Sequence, residues 1–385
     1  SSVINIANTV LGSGMLAMPA ALASVGMGLG MIMIALFSSF SIFGLTLLAT
    51  VAARVGRQSS FFACAQITYP NAAFFFDLAI AVKCFGVSIS YLVIVGSLMP
   101  IVVGNLSPEL IGTWWSNRSL WITIFLVGMS PFAFLRRLDS LRYTSALALT
   151  AVVYLVYLVS YFYIAAPEGL PPHLRWSEIQ WFRFDPGTFF TTLPIFVFAF
   201  TCHQNIFAIF NELRDNSKPQ IRSVIGIAIT TAHVVYQIVA VLGYLTFGPH
   251  IGSNLISQYP MSNLVIGAQL SMCLLVGLSI PLQIHPARAS VLKCLGMVQF
   301  SSLACIAMLD GPTLGPAAPE LDDHGSPVAP HVTRSQWTMT TLALLTGAFL
   351  IAISVQNLSF VLSIVGATGS TTICYILPGM FYHRL

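Results

Sequence analysis

The sequence predicts an all-α polytopic membrane protein, and three observations carry that prediction. Of its 385 residues 56% are hydrophobic and only 7% are charged, against about 25% charged in a typical soluble domain. Ten apolar stretches follow one another, most of them near the roughly 20 residues a helix needs to cross a bilayer. The basic residues fall in alternate connections, so one side of the bundle collects nearly all of them. The bilayer is therefore the first partner, and nothing in the composition points to nucleic acid.

The chain opens Ser1-Ser2, without methionine or a cleavable signal pattern, so a preceding tail is expected. The apolar stretches lie at approximately 4–26, 28–52, 73–103, 119–134, 143–165, 188–211, 221–247, 262–284, 336–356 and 358–381, the third long and the fourth short. With a cytosolic N-terminus, the cytosolic segments hold Arg54, Arg57, Arg136, Arg137, Arg142, Arg214, Lys218, Arg222, Arg288, Lys293, Arg334 and Arg384. The opposite side holds only Arg118, Arg175 and Arg183, and Lys83 lies inside the third stretch. A missed or mistaken span would scramble that asymmetry. Residues 166–187 read as an extracytosolic loop. The longest connection, 294–335, begins with a short apolar piece suited to the interface and continues as a Pro/Gly/acidic linker of disordered composition.

Two stretches are interrupted in matching positions. The first carries Gly12-Ser13-Gly14 at its middle, with Pro19 beyond; glycine costs about 1 kcal/mol relative to alanine inside a helix, so local unwinding competes there with close helix packing. The sixth carries the polar run Thr201-Cys202-His203-Gln204-Asn205 between apolar flanks. If ten spans form two halves of five, the sixth is the counterpart of the first, and paired interruptions of this kind point to an inverted-repeat transporter. Unwound backbone survives in lipid only where protein or a water-filled cavity satisfies it. A helix that restarts after a break offers free N–H groups and a positive dipole end to a carboxylate, and one that stops offers carbonyls to an ammonium group or a cation. A zwitterion such as an α-amino acid suits two crossed breaks, with nucleobases and choline as alternatives. The halves are residues 1–165 and 188–385.

The blocks "NIANTVLGSGMLAMP", "KCFGVSISYLVIVG", "FLRRLDSLRYTS", "FAFTCHQNIFAIFNEL", "PLQIHPAR" and "FVLSIVGATGSTTICYILPG" together resemble the amino acid/auxin permease family, most of all the fungal vacuolar amino acid exporters, relatives of the sodium-coupled neutral amino acid transporters. The resemblance runs along nearly the whole chain. It implies a LeuT-like (APC-type) 5+5 inverted repeat plus an eleventh helix beyond Leu385, with the substrate between spans one and six and help from three, eight and ten. It also implies a vacuolar or lysosomal membrane and proton-coupled export to the cytosol.

On that basis the candidate substrate-binding residues are Asn8, Thr9, Gly12, Ser13, Gly14, Tyr91, Phe200, Thr201, Cys202, His203 and Thr368. Tyr91 either packs or donates its hydroxyl to a substrate carboxylate. His203, unperturbed, would titrate near pH 6.5, which makes it the first proton-coupling candidate against a plain buried histidine. Lys83 stands in an apolar span, where a charge is costly unless it faces an interior. It snorkels to the headgroups, fills a vacated sodium site or binds an acidic side chain, the first reading being favoured. Ser279 with backbone near Asn8 keeps sodium coupling open as the rival to protons. Pro281 and Pro286 are expected to break span eight, with Arg288 anchoring at headgroup level; Arg136, Arg137 and Asp139 form an anchor or a cytosolic gate. No acidic residue lies deep in a span, so neutral amino acids come first.

The seven cysteines show no ligand spacing and read as small buried hydrophobes; no metal or cofactor is expected. No catalytic motif such as HExxH or GxSxG occurs. A carrier is the leading reading, with an amino-acid sensor or a sodium-coupled plasma-membrane importer as alternatives.

Overall fold

A computed structural model describes residues 2–56, 59–135, 142–172, 174–213, 215, 217–309 and 333–385, with side chains 142–148 and 297–309 left undescribed. The gate candidates Arg136, Arg137 and Asp139, the arginines 57 and 214, and the Pro/Gly/acidic linker at 310–332 lie outside the described residues. Among those described, all regular structure is helical.

The helices, in order, are α1 (Ser2–Val10), α2 (Gly14–Val25), α3 (Met27–Val55), α4 (Phe61–Thr68), α5 (Ala73–Leu106), α6 (Arg118–Ala133), α7 (Arg142–Ala165), α8 (Pro186–Ala199), α9 (Ile206–Glu212), α10 (Lys218–Phe247), α11 (Asn263–Leu309), α12 (Arg334–Ser354), α13 (Leu358–Val365) and α14 (Leu377–Arg384). Every apolar stretch read from the sequence is helical. Seven helical segments among the described residues are long and apolar enough to cross a membrane, and an eighth is the α1–α2 pair, bent by 49°. α6, and α7 over the part whose side chains are described (Leu149–Ala165), are shorter than that length. Large apolar side chains such as Phe43, Val127, Val153, Ile164 and Phe360 point outward, as expected where lipid is the solvent.

α5 and α11 are the central pair, packing along one another more extensively than any other two elements, with α6, α12 and α13 also against α5. α2, α3 and α10 form a second packed group, and α8 lies against α2 and α13. The loop 166–187 is tied to the α2–α3 junction. The amides of Met27 and Gly28 donate to the carbonyls of Gln180 and Trp181 at 2.8 and 2.9 Å, and Arg183 N donates to Val25 O at 2.9 Å, satisfying donors at the start of α3. Gly26 makes the junction with φ of +90°, and a Cβ there would meet the Trp181 carbonyl at 2.9 Å. Only glycine fits both demands.

Two expectations are corrected here. Pro281 and Pro286 lie inside a continuous α11 rather than breaking it, because neighbouring helices support the backbone locally. The short apolar piece after residue 294 is helical and continues α11, which runs on to Leu309. Arg288 is fully buried among helices, so its side chain does not reach out to anchor at headgroups. Its guanidinium donates to the carbonyls of Ala133 (2.5 Å) and Leu135 (3.3 Å) and to Thr341 Oγ1 (3.0 Å), and it covers the Trp337 ring at 3.5 Å. It locks α11 to α6 and α12 through hydrogen bonds and a cation–π contact.

Candidate functional site at two helix breaks

Glycine at 12 and 14 lets the first span come apart. The Leu11 amide still reaches Ala7 O at 2.8 Å, but Gly12 N turns back to Val10 O at 2.9 Å, and α2 starts afresh at Gly14. Among the described residues the amides of Ser13 and Gly14 donate no hydrogen bond, so the new helix begins with its N–H groups free. The sixth span stops at Ala199, passes through a 3₁₀ turn at His203–Asn205 and resumes as α9.

Tyr236 of α10 joins the two breaks. Its hydroxyl lies 2.6 Å from Val10 O and 3.0 Å from Ala199 O, the last carbonyls of α1 and α8. Gly14 permits this approach: a Cβ there would stand 3.1 Å from Ala199 Cα and 3.3 Å from the Tyr236 hydroxyl. A second tie runs from Asn205 Nδ2 to Thr9 Oγ1 at 2.8 Å, while the Thr9 hydroxyl donates to Asn5 O. Ser13 and Ser90 hydroxyls meet at 3.1 Å, anchoring the first break to α5. The two gaps are thus adjacent and held in register.

Between them lies a cavity lined by Thr9, Gly12, Ser13, Gly14, Lys83, Tyr91, Thr201 and Gln283, with Val10, Val87 and Phe198 as apolar walls. Its free space is about 10 Å³, room for roughly one water. The Tyr91 hydroxyl closes one wall, 3.4 Å from where a Cβ on Gly12 would stand, and Gln283 comes within hydrogen-bonding reach of it. No Asp or Glu lines the cavity.

Of the residues singled out by sequence, Thr9, Gly12, Ser13, Gly14, Tyr91, Thr201 and Lys83 converge on this cavity. Lys83 is 2% exposed, so it does not snorkel. The close seat of Gly369 against its backbone, where a Cβ would meet Lys83 N at 2.8 Å, fixes its stem inside the bundle. The others stand elsewhere. Phe200 packs edge-on against Tyr236 and gives its carbonyl to Ser41 Oγ at 2.9 Å. Cys202 and His203 are buried outside the cavity wall, His203 against α3, where a Cβ on Gly44 would come within 2.8 Å of its Nε2. Neither His203 ring nitrogen makes a hydrogen bond of good geometry, although the Ser41 backbone lies close by. Thr368 is exposed on the outer face of the last span and bonds back to Ile364 O. Ser279 donates to Leu275 O within its own helix. Asn8 sits on α1, short of the cavity lining.

Gln283 and Tyr236 escaped the sequence reading. A lone amide inside an apolar span was the available signal for Gln283. Tyr236 has no local signature, because its partners are 226 and 37 residues away.

The last span is irregular at the same level. After α13 it passes through two wide π-type turns, Gly366–Ser370 and Thr372–Ile376, a form concentrated at functional sites. Gly366 abuts the Pro194 carbonyl of α8, and Cys374 Sγ donates to Thr201 Oγ1 at 3.3 Å. These contacts set this span against the second break.

The family model described as transmembrane amino acid transporter protein matches residues 1–385. Vacuolar amino acid transporter 5 of Schizosaccharomyces pombe is 38% identical over 387 residues, covering 100% of this chain and 83% of that protein. Vacuolar amino acid transporters 6 and 5 of Saccharomyces cerevisiae are each 37% identical, over 100% of this chain and 89% and 88% of their own lengths.

Proposed function

The chain belongs to the transmembrane amino acid transporter family, and from that premise we propose that it carries amino acids across the vacuolar membrane by alternating access. The observation that supports this most is the pair of adjacent helix breaks, tied by Tyr236, with unbonded amides of Ser13 and Gly14 beside a polar cavity. A carboxylate suits those amides. Because the cavity holds about 10 Å³, the form described is a closed one, and substrate entry requires Tyr91 and Gln283 to withdraw.

The remaining architecture is read as ten spans in a LeuT-like pair of inverted halves, 1–165 and 188–385, joined by the lumenal loop 166–187. The N-terminus faces the cytosol; the arginine and lysine distribution supports this orientation. Neutral amino acids are preferred over cationic ones, since no acidic residue lines the cavity to balance a cationic side chain. Export to the cytosol is coupled to protons, with His203 as the coupling group: its ring is fully buried and unsatisfied at the second break, where opening would expose it to a proton. Sodium is the weaker reading, because the Ser279 hydroxyl is already engaged within its helix.

Purified protein in liposomes preloaded with unlabelled alanine should accumulate labelled alanine by counterflow. An acidic interior should speed net exit. Binding without any flux would overturn transport in favour of a sensor, and flux indifferent to a pH difference but dependent on sodium would overturn proton coupling.

A further inference from the structure

Lys83 is the one charged side chain in the cavity wall. It is 2% exposed, and among the described residues its ammonium group makes neither an ion pair nor a hydrogen bond. The acidic residue on the same helix, Asp77, is committed elsewhere: it accepts from Ser290 Oγ at 3.2 Å and lies 3.9 Å from Lys293 Nζ. The other ionisable groups around Lys83 are the thiols of Cys84, Cys202 and Cys374, the His203 ring and the Tyr91 phenol. None is a standing counter-charge. A cation held away from water without a partner costs several kcal/mol, yet Lys83 is built in: Gly369 seats its backbone, and its side chain shares one small cavity with the free amides of Ser13 and Gly14. A lysine and a helix N-terminus that line one space both select negative charge.

We propose that Lys83 is the counter-ion for a carboxylate of the carried solute, completing a cradle whose other side is the start of α2. The inference rests on the transport reading and names the group that sets its charge selectivity. The carboxylate comes either from the α-position, common to all amino acids, or from an acidic side chain. The cavity chemistry is the same in both cases.

The test is competition against a labelled amino acid on purified protein, using alanine, alaninamide, glutamate and glutamine, with the wild type, K83M and K83R. Alaninamide keeps the ammonium group and loses the carboxylate; glutamine does the same for the side chain. The wild type should prefer the acid over its amide by roughly tenfold or more in at least one pair, as a charge-assisted bond implies. K83M should lose that preference, and K83R, which keeps the charge, should retain most of it. Loss confined to the alanine pair assigns the α-carboxylate, and loss confined to the glutamate pair assigns the side chain. K83M that keeps both preferences overturns the assignment while leaving transport intact. If K83M does not fold, K83Q is read in the same way. A wild type that binds none of the four removes the transport reading and this inference with it.

Discussion

The two helix breaks differ in what they contribute. The first is made of backbone: glycines open the chain, and Ser13 and Gly14, whose amides donate no hydrogen bond, line the cavity. The second is made of side chains, yet of its polar run only Thr201 reaches the cavity. His203 turns instead toward Gly44 of α3, Asn205 ties back to Thr9, and Phe200 gives its carbonyl to Ser41. One break brings unbonded backbone amides to the cavity lining, and the other is a joint that also holds an unsatisfied histidine. Polarity inside a membrane helix therefore does not by itself mean contact with substrate; it also serves the backbone groups that a break sets free.

The largest effect expected from breaking this contrast comes at the joint. A Cβ at Gly44 would collide with the Cys374 carbonyl and approach His203 Nε2 to 2.8 Å. Gly44→Ala should cost about 2–3 kcal/mol, read as loss of a monodisperse peak in detergent or a sharply lower melting temperature. Tyr236→Phe comes next, because it frees two helix-end carbonyls together while keeping the ring packing on Phe200. A loss of about 1–3 kcal/mol and a large fall in counterflow should appear together; an unchanged melting temperature would show that the breaks need no staple. The smallest effect on stability belongs to His203→Gln. It should leave counterflow of alanine near the wild-type rate and abolish the response to a pH difference. A retained response would place the proton elsewhere, and a lost counterflow would place His203 in the ligand surface.

Much of the candidate site was legible in the chain because its signals are local. Gly12-Ser13-Gly14 weakens a helix wherever that helix is placed, and the polar run at 201–205 stands out against its flanks. The apolar stretches likewise declare themselves by length and composition, and each proved helical. Lys83 was misread for the opposite reason. Whether a lysine snorkels or is enclosed depends on neighbours, here Gly369 and the first break. Arg288 repeats that lesson: three acceptors and the Trp337 ring, all from other helices, hold it inside.

By itself the sequence determined where the chain is apolar, where its helices are weak and on which segments its positive charge lies, since these follow from composition and from the backbone preferences of single residues. Only the tertiary structure decided that the two weak points meet, that Tyr236 binds them, that His203 faces away from the cavity and that Lys83 faces into it. Those facts depend on the register between helices separated by up to hundreds of residues. That register is set by close packing at small residues such as Gly14, Gly44 and Gly369, which no local pattern reveals.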